Sequence, residues 1–143
     1  MDFSAEVWGP HYWFFLFTVA YFYPRTPNEI TKRKYYDLVQ NMPLFIPDEE
    51  IGNRFSHMLD LYPVSPYLVG RDSFLRWVWF IHNKVNIGVG LPEIAFEDAI
   101  DLYLAKYRPR EVVLSETLHI RKSYLHVFIV LICLCMIWVW WPK

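Results

Sequence analysis

The sequence predicts an all-α chain: a compact bundle of five helices, followed by a single C-terminal helix apolar enough to cross a membrane. Helix start and stop signals punctuate the first 109 residues, and no alternating strand pattern longer than four residues competes with them. The third observation is one long apolar run, residues 124–141, containing a single polar residue, His126. With 143 residues, 55% hydrophobic and 20% aromatic, the chain has ample surface to bury, which excludes disorder. Its net charge of −1, from 14 basic and 15 acidic residues, supplies no field that would draw it onto nucleic acid. Two cysteines, Cys133 and Cys135, are too few and too close for a disulfide framework or a four-ligand zinc site, so no metal centre is expected.

The first helix is expected to open at Trp8-Gly9-Pro10 and to run to Tyr23, where Pro24 stops it. Thr26, Pro27 and Glu29 give a capping-box start with Pro at the first helical position, and the second helix runs to about Met42. The third opens at Pro47, whose followers Asp48, Glu49 and Glu50 suit the positive end of a helix dipole. Its apolar positions Ile51, Phe55, Met58 and Leu59 recur at helical spacing. After the loop Tyr62-Pro63-Val64-Ser65-Pro66, residues 71–86 form the fourth helix, ended by Gly88 and Gly90. Pro92 and Glu93 lead into a fifth, about Phe96 to Tyr107, which Pro109 stops.

Residues 1–109 are therefore expected to be the helical bundle, 110–123 a connector and 124–141 a membrane anchor. Eighteen helical residues span about 27 Å, close to a hydrocarbon core of about 30 Å. Trp138, Trp140 and Trp141 stand where an interfacial aromatic belt belongs. Lys106, Arg108, Arg110, Arg121 and Lys122 precede the span and only Lys143 follows it, so the rule of positive charge inside places the N-terminal domain on the cytosolic side of a single-pass protein. The early apolar run, residues 12–23, follows Asp2 and Glu6 with no basic start and is not read as a signal peptide. Cys133 and Cys135 fall in mid-span, where thiolate formation is disfavoured and apolar packing is the expected role.

Chemistry is concentrated on the fourth helix, which reads Trp77-Val78-Trp79-Phe80-Ile81-His82-Asn83-Lys84-Val85-Asn86. His82 and Asn86 are four apart and share one face, able to hold a flat ligand or simply to hydrogen-bond within the fold. The segment resembles the flavin helix of the ERV/ALR sulfhydryl oxidases, W-x-x-x-x-H-N-x-V-N, with Trp77, His82, Asn83, Val85 and Asn86 matching. The first helix is similar to that family's W-G-x-x-x-W-x-x-L-H-x-x-A-x-x-Y-P: Trp8, Gly9, Trp13, Leu16, Ala20, Tyr23 and Pro24 match, and Phe17 takes the His position. The resemblance covers roughly residues 7–104 and not the anchor. It implies a four-helix bundle plus a short fifth helix, FAD held inside it by Trp13, Phe17, His82, Asn83 and Asn86, and a homodimer.

The departures from that pattern shape the functional expectation. The family's reactive dithiol, P-C-x-x-C-x-x-x-F, falls on Pro47 to Phe55, with Asp48 and Ile51 in the two cysteine positions. A carboxylate and a branched alkane cannot exchange disulfides. A basic residue that would help hold the flavin pyrophosphate is replaced by Leu91. The expectation is thus a pseudoenzyme with no catalytic residues and no bound cofactor, a membrane-anchored structural or interaction module. By resemblance, it suits the inner membrane of a large DNA virus, with the bilayer and a capsid or scaffold protein as partners. The alternative is an FAD-binding, thiol-oxidoreductase-like flavoprotein that works with a partner's cysteines.

Overall fold

The computed structural model describes residues 4–108, 122 and 124–136. Among these every regular element is helical: α1 (Ala5–Tyr21), α2 (Glu29–Asn41), α3 (Glu49–Leu61), α4 (Arg71–Gly88) and α5 (Phe96–Ala105), with single 3-10 turns at Met42–Phe45 and Ser65–Tyr67. The chain divides into two compact units, Met1–Tyr103 and Leu104–Lys143.

The helices follow the expected order, but their starts shift for identifiable reasons. α1 begins at Ala5 and not at Trp8, because Ser4 is its cap, accepting from the Glu6 N–H at 3.3 Å. Pro10 therefore lies inside the helix, which forgoes the bond a residue-10 N–H would have made to Glu6. The Trp8 and Tyr12 rings, one turn apart and 5.3 Å between centroids, brace that turn. Thr26 does not cap α2. Asn28 does, its Oδ1 taking the Thr31 N–H at 2.8 Å, so Pro27 lies outside the helix. α4 runs two residues beyond Asn86. It closes with the Leu91 N–H on the Asn86 carbonyl at 2.8 Å and with Gly90 at φ 79°, a left-handed helix stop that glycine adopts without strain.

The core of the first unit lies between α1 and α4, which pack closely on each other. Leu16 and Ala20 of α1 meet Phe74, Trp77, Val78 and Ile81 of α4, all at most 2% exposed. Tyr23 is fully buried beside them. Its ring packs on Tyr35 and Phe74, and its hydroxyl donates to the Leu68 carbonyl at 2.9 Å. Trp77 Nε1 donates to the Tyr62 carbonyl at 3.1 Å, so each buried aromatic with a polar tip has that tip satisfied. α3 is fixed at its start by contact with the Met42–Phe45 turn, where Gly52 lets the backbones approach: a Cβ there would stand 2.8 Å from the Pro43 carbonyl oxygen.

Of the second unit, residues 124–136 form a helix with every side chain exposed, including Leu125, Phe128, Ile129 and Leu131. No helix among the described residues is long and apolar enough to cross a membrane. The expected anchor extends to residue 141, and its last five positions, with all three anchor tryptophans, lie outside the described residues, as do most of the connector and the flanking Arg110 and Arg121. Cys133 and Cys135 are free thiols, and a spacing of two on a helix turns them about 200° apart, which does not suit a disulfide.

Candidate functional site

Three of the predicted ligand positions converge where α1 crosses α4. Trp13 and Phe17 are one turn apart on α1, and both present ring edges to His82: centroids lie 4.8 Å away at 85° for Trp13 and 5.8 Å at 73° for Phe17. Phe55 of α3 stands 6.3 Å from Trp13, and Tyr103 of α5 stacks on Phe17 at 6.2 Å. Tyr103 is held in place by donating to Thr18 Oγ1 at 3.1 Å. Neither Phe55 nor Tyr103 was singled out from the sequence as part of the site. Phe55 closes the register that begins at Pro47, so its signal was present; Tyr103 gave none beyond its place on an apolar helix face.

His82 carries the unusual feature. Its Nδ1 is buried and has no hydrogen-bond partner. Burial also holds the imidazole pKa below its ordinary value, so the ring is neutral at pH 7 and keeps one donor and one acceptor nitrogen. A buried polar atom left unsatisfied costs about 1–3 kcal/mol, which a fold retains where a ligand can supply the partner. Asn86, one turn on, is 7% exposed and lies on the same face.

Asn83, the other residue of the expected His-Asn pair, has partners in the fold. Its Nδ2 donates to the Ile94 carbonyl at 2.9 Å and its Oδ1 accepts the Ile94 N–H at 3.1 Å, so the amide is committed to the main chain of the segment before α5. Leu91, at the expected basic position, is 56% exposed and offers no charge to a pyrophosphate.

The register of the missing dithiol has become a helix cap. Asp48 precedes α3 and its Oδ1 accepts the Ile51 N–H at 2.8 Å. The Asp48 side chain and the Ile51 main-chain N–H, at the two cysteine positions, therefore share one structural hydrogen bond, with Glu49 and Glu50 in the first turn beside them.

The residues present fit a flavin at the α1–α4 crossing: an orphaned imidazole nitrogen lies between two aromatic rings, with an amide one turn away. Comparison with known proteins agrees. The chain is 28% identical over 109 residues, 76% of each chain, to a probable FAD-linked sulfhydryl oxidase of Acanthamoeba polyphaga mimivirus. It is 28% identical over 87 residues to the FAD-linked sulfhydryl oxidase ERV1 of Arabidopsis thaliana, spanning 61% of this chain and 44% of the plant protein. The fold superposes on the yeast Erv1 core with a TM-score of 0.63 at 20% identity, over 76% of this chain and 86% of that one. It also matches the FAD-binding domain of Erv1 from Saccharomyces cerevisiae, with a TM-score of 0.65 at 22% identity, over 71% and 95%. These relatives correct two expectations drawn from the sequence. A chain that is no enzyme, and one that carries no cofactor, are both at odds with relatives described as FAD-linked sulfhydryl oxidases. The model of the Erv1/Alr family matches residues 10–107, unbroken through both motif helices, and the chain belongs to that family.

Proposed function

We propose that the bundle is an FAD-binding redox domain whose thiol chemistry uses cysteines supplied by a partner protein. The observation that carries this reading is the buried, unpartnered Nδ1 of His82 between Trp13 and Phe17. Trp13, Phe17, His82 and Asn86 would hold the cofactor. When bound, FAD would supply two-electron redox chemistry that the side chains lack. The chain's own part is to bind it, to offer a neutral imidazole as hydrogen-bond partner, and to exclude water with Phe55 and Tyr103.

Asp48 and Ile51 cannot form or break a disulfide, and Cys133 and Cys135 face away from each other on one helix, which supports placing the dithiol on a partner. A homodimer resting on packed aromatic surface, with no disulfide, fits a bundle that contains no cysteine. We further propose that residues 124–141 hold the bundle at a membrane; the apolar run and the helix through its described part, 124–136, support this. In a large DNA virus the anchored domain would sit at an internal virion membrane; the similarity to a mimivirus protein motivates the viral setting.

The visible absorption spectrum of the full chain, purified in mild detergent, tests the cofactor. A flavin band that survives desalting, and that His82→Leu removes, is the expected result. A colourless protein that takes up no added FAD overturns the reading. Alkaline extraction of membranes tests the anchor: the chain should stay in the pellet, and release into the supernatant counts against it.

A further inference from the structure

Adjacent residues of the flavin motif point at different partners. His82 faces α1, whereas Asn83 is held at both amide atoms by the main chain of Ile94. Asn83 does not act alone on that segment. Trp79 Nε1, one turn earlier, donates to the same Ile94 carbonyl at 2.7 Å, so two donors share one acceptor. One turn earlier again, the Arg76 guanidinium lies 4.3 Å from the centre of the Phe96 ring, and Trp79 meets Phe96 edge-on at 5.7 Å. Residues 76, 79 and 83 lie at spacings of three and four, a single stripe of α4. That stripe holds residues 94–96, the entrance to α5, through hydrogen bonds to Ile94 and ring contacts with Phe96. α5 in turn places Tyr103 flat against Phe17, whose edge meets His82. A chain of contacts thus runs from Asn83 through Ile94, α5, Tyr103 and Phe17 back to the residue beside Asn83.

We infer that Asn83 and Trp79 are positioning residues of the flavin site: they clamp the Ile94 main chain and so fix α5 and Tyr103 behind the Phe17–His82 pair, without touching the cofactor themselves. This rests on the proposed flavin function. It reassigns the second member of the His-Asn pair from ligand to clamp, because both amide atoms of Asn83 are engaged by Ile94 whereas the His82 ring meets Trp13 and Phe17 of α1.

The test is FAD affinity, measured by flavin fluorescence titration of the full chain in detergent, for Asn83→Asp, Trp79→Phe and the double variant. Asn83→Asp keeps the acceptor for the Ile94 N–H and loses one donor to its carbonyl; Trp79→Phe keeps the ring and loses the other. Loss of one ordinary hydrogen bond corresponds to about fivefold, which is the upper bound on the weakening of FAD binding in each single variant, since the loosened segment must be ordered again on binding. Because the two donors share one oxygen, the double variant should depart clearly from the product of the single losses. The amide protons of residues 94–96 should exchange faster in each variant without added FAD, a readout that a direct cofactor contact would not move. Weakening by Asn83→Asp alone, with Trp79→Phe neutral and exchange unchanged, would make Asn83 a ligand and overturn this role while leaving the flavin function intact. An unmodified chain that binds no FAD would overturn the function, and the positioning role with it.

Discussion

The start of α3 and the middle of α4 carry the two halves of one family pattern, and they have been treated in opposite ways. At α3 the polar group is closed on itself: Asp48 accepts the Ile51 N–H, an exposed and fully local hydrogen bond. At α4 a polar atom is left open: His82 Nδ1 is buried without a partner between Trp13 and Phe17. A locally satisfied cap stabilises a helix and needs nothing else. An orphaned buried nitrogen weakens the fold unless something binds there. That contrast is what the proposed function requires: a cofactor half of the pattern left open and a thiol half given over to structure.

The strongest way to break that comparison is His82→Leu. Removing the orphaned nitrogen should stabilise the FAD-free chain by about 1 kcal/mol, since an apolar group of similar size carries no desolvation penalty. The same change should weaken FAD binding at least tenfold, by roughly 1.4 kcal/mol or more. Chemical denaturation and flavin titration of one preparation measure both. Opposite signs sustain the contrast; a loss of stability with unchanged FAD affinity would show that His82 is a packing residue. A second change acts at the other region. Gly52→Ala puts a methyl 2.8 Å from the Pro43 carbonyl oxygen, a backbone atom that cannot turn aside, and should destabilise the chain by about 1–3 kcal/mol. A midpoint equal to that of the unmodified chain would show that the Met42–Phe45 turn yields freely.

The order and type of the helices were legible in the sequence because Pro, Gly and capping residues mark them and the apolar positions recur at helical spacing. Their starts were less so. Ser4, Thr26 and Asn28 are all competent caps, and the choice among them is made by packing, which a local pattern does not carry. The site was half legible: Trp13, Phe17 and His82 meet as their helices predict, since each lies on the face its helix buries. The bonds of Asn83 were not legible because their partner is a main-chain group eleven residues on, a contact without sequence signature. Reading the lost cysteines as a lost function placed too much weight on α3. The pattern on α4 and the relatives that share it bear on the cofactor independently of the thiols.

Asp48→Ala sharpens the comparison from the closed side. It removes the α3 cap and should lower stability by about 1 kcal/mol, with FAD affinity unchanged, because the cap is local. Replacing both family positions, Asp48→Cys with Ile51→Cys, should show the same loss of the cap and add a dithiol that mass spectrometry can follow as an intramolecular disulfide after oxidation. A double variant as stable as the unmodified chain would mean that the Asp48 bond contributes nothing.

The smallest expected effect is a pH dependence confined to the open side. Burial depresses the His82 pKa in the folded chain below its ordinary value near 6.5, so in the interval between the two the unfolded chain binds the proton and the folded chain does not. Stability from this group is therefore fully present above the unfolded value and is lost as pH falls from there toward the folded one. Thermal midpoints should decline from pH 7.5 to pH 5 in the unmodified chain, and less steeply in His82→Leu, where no imidazole must stay neutral. Asp48→Ala should leave the slope over that interval unchanged, since the bond it removes is local to the start of α3 and does not involve His82. Equal slopes in the unmodified chain and His82→Leu would mean that His82 is hydrated in solution, and that the open site is open to water.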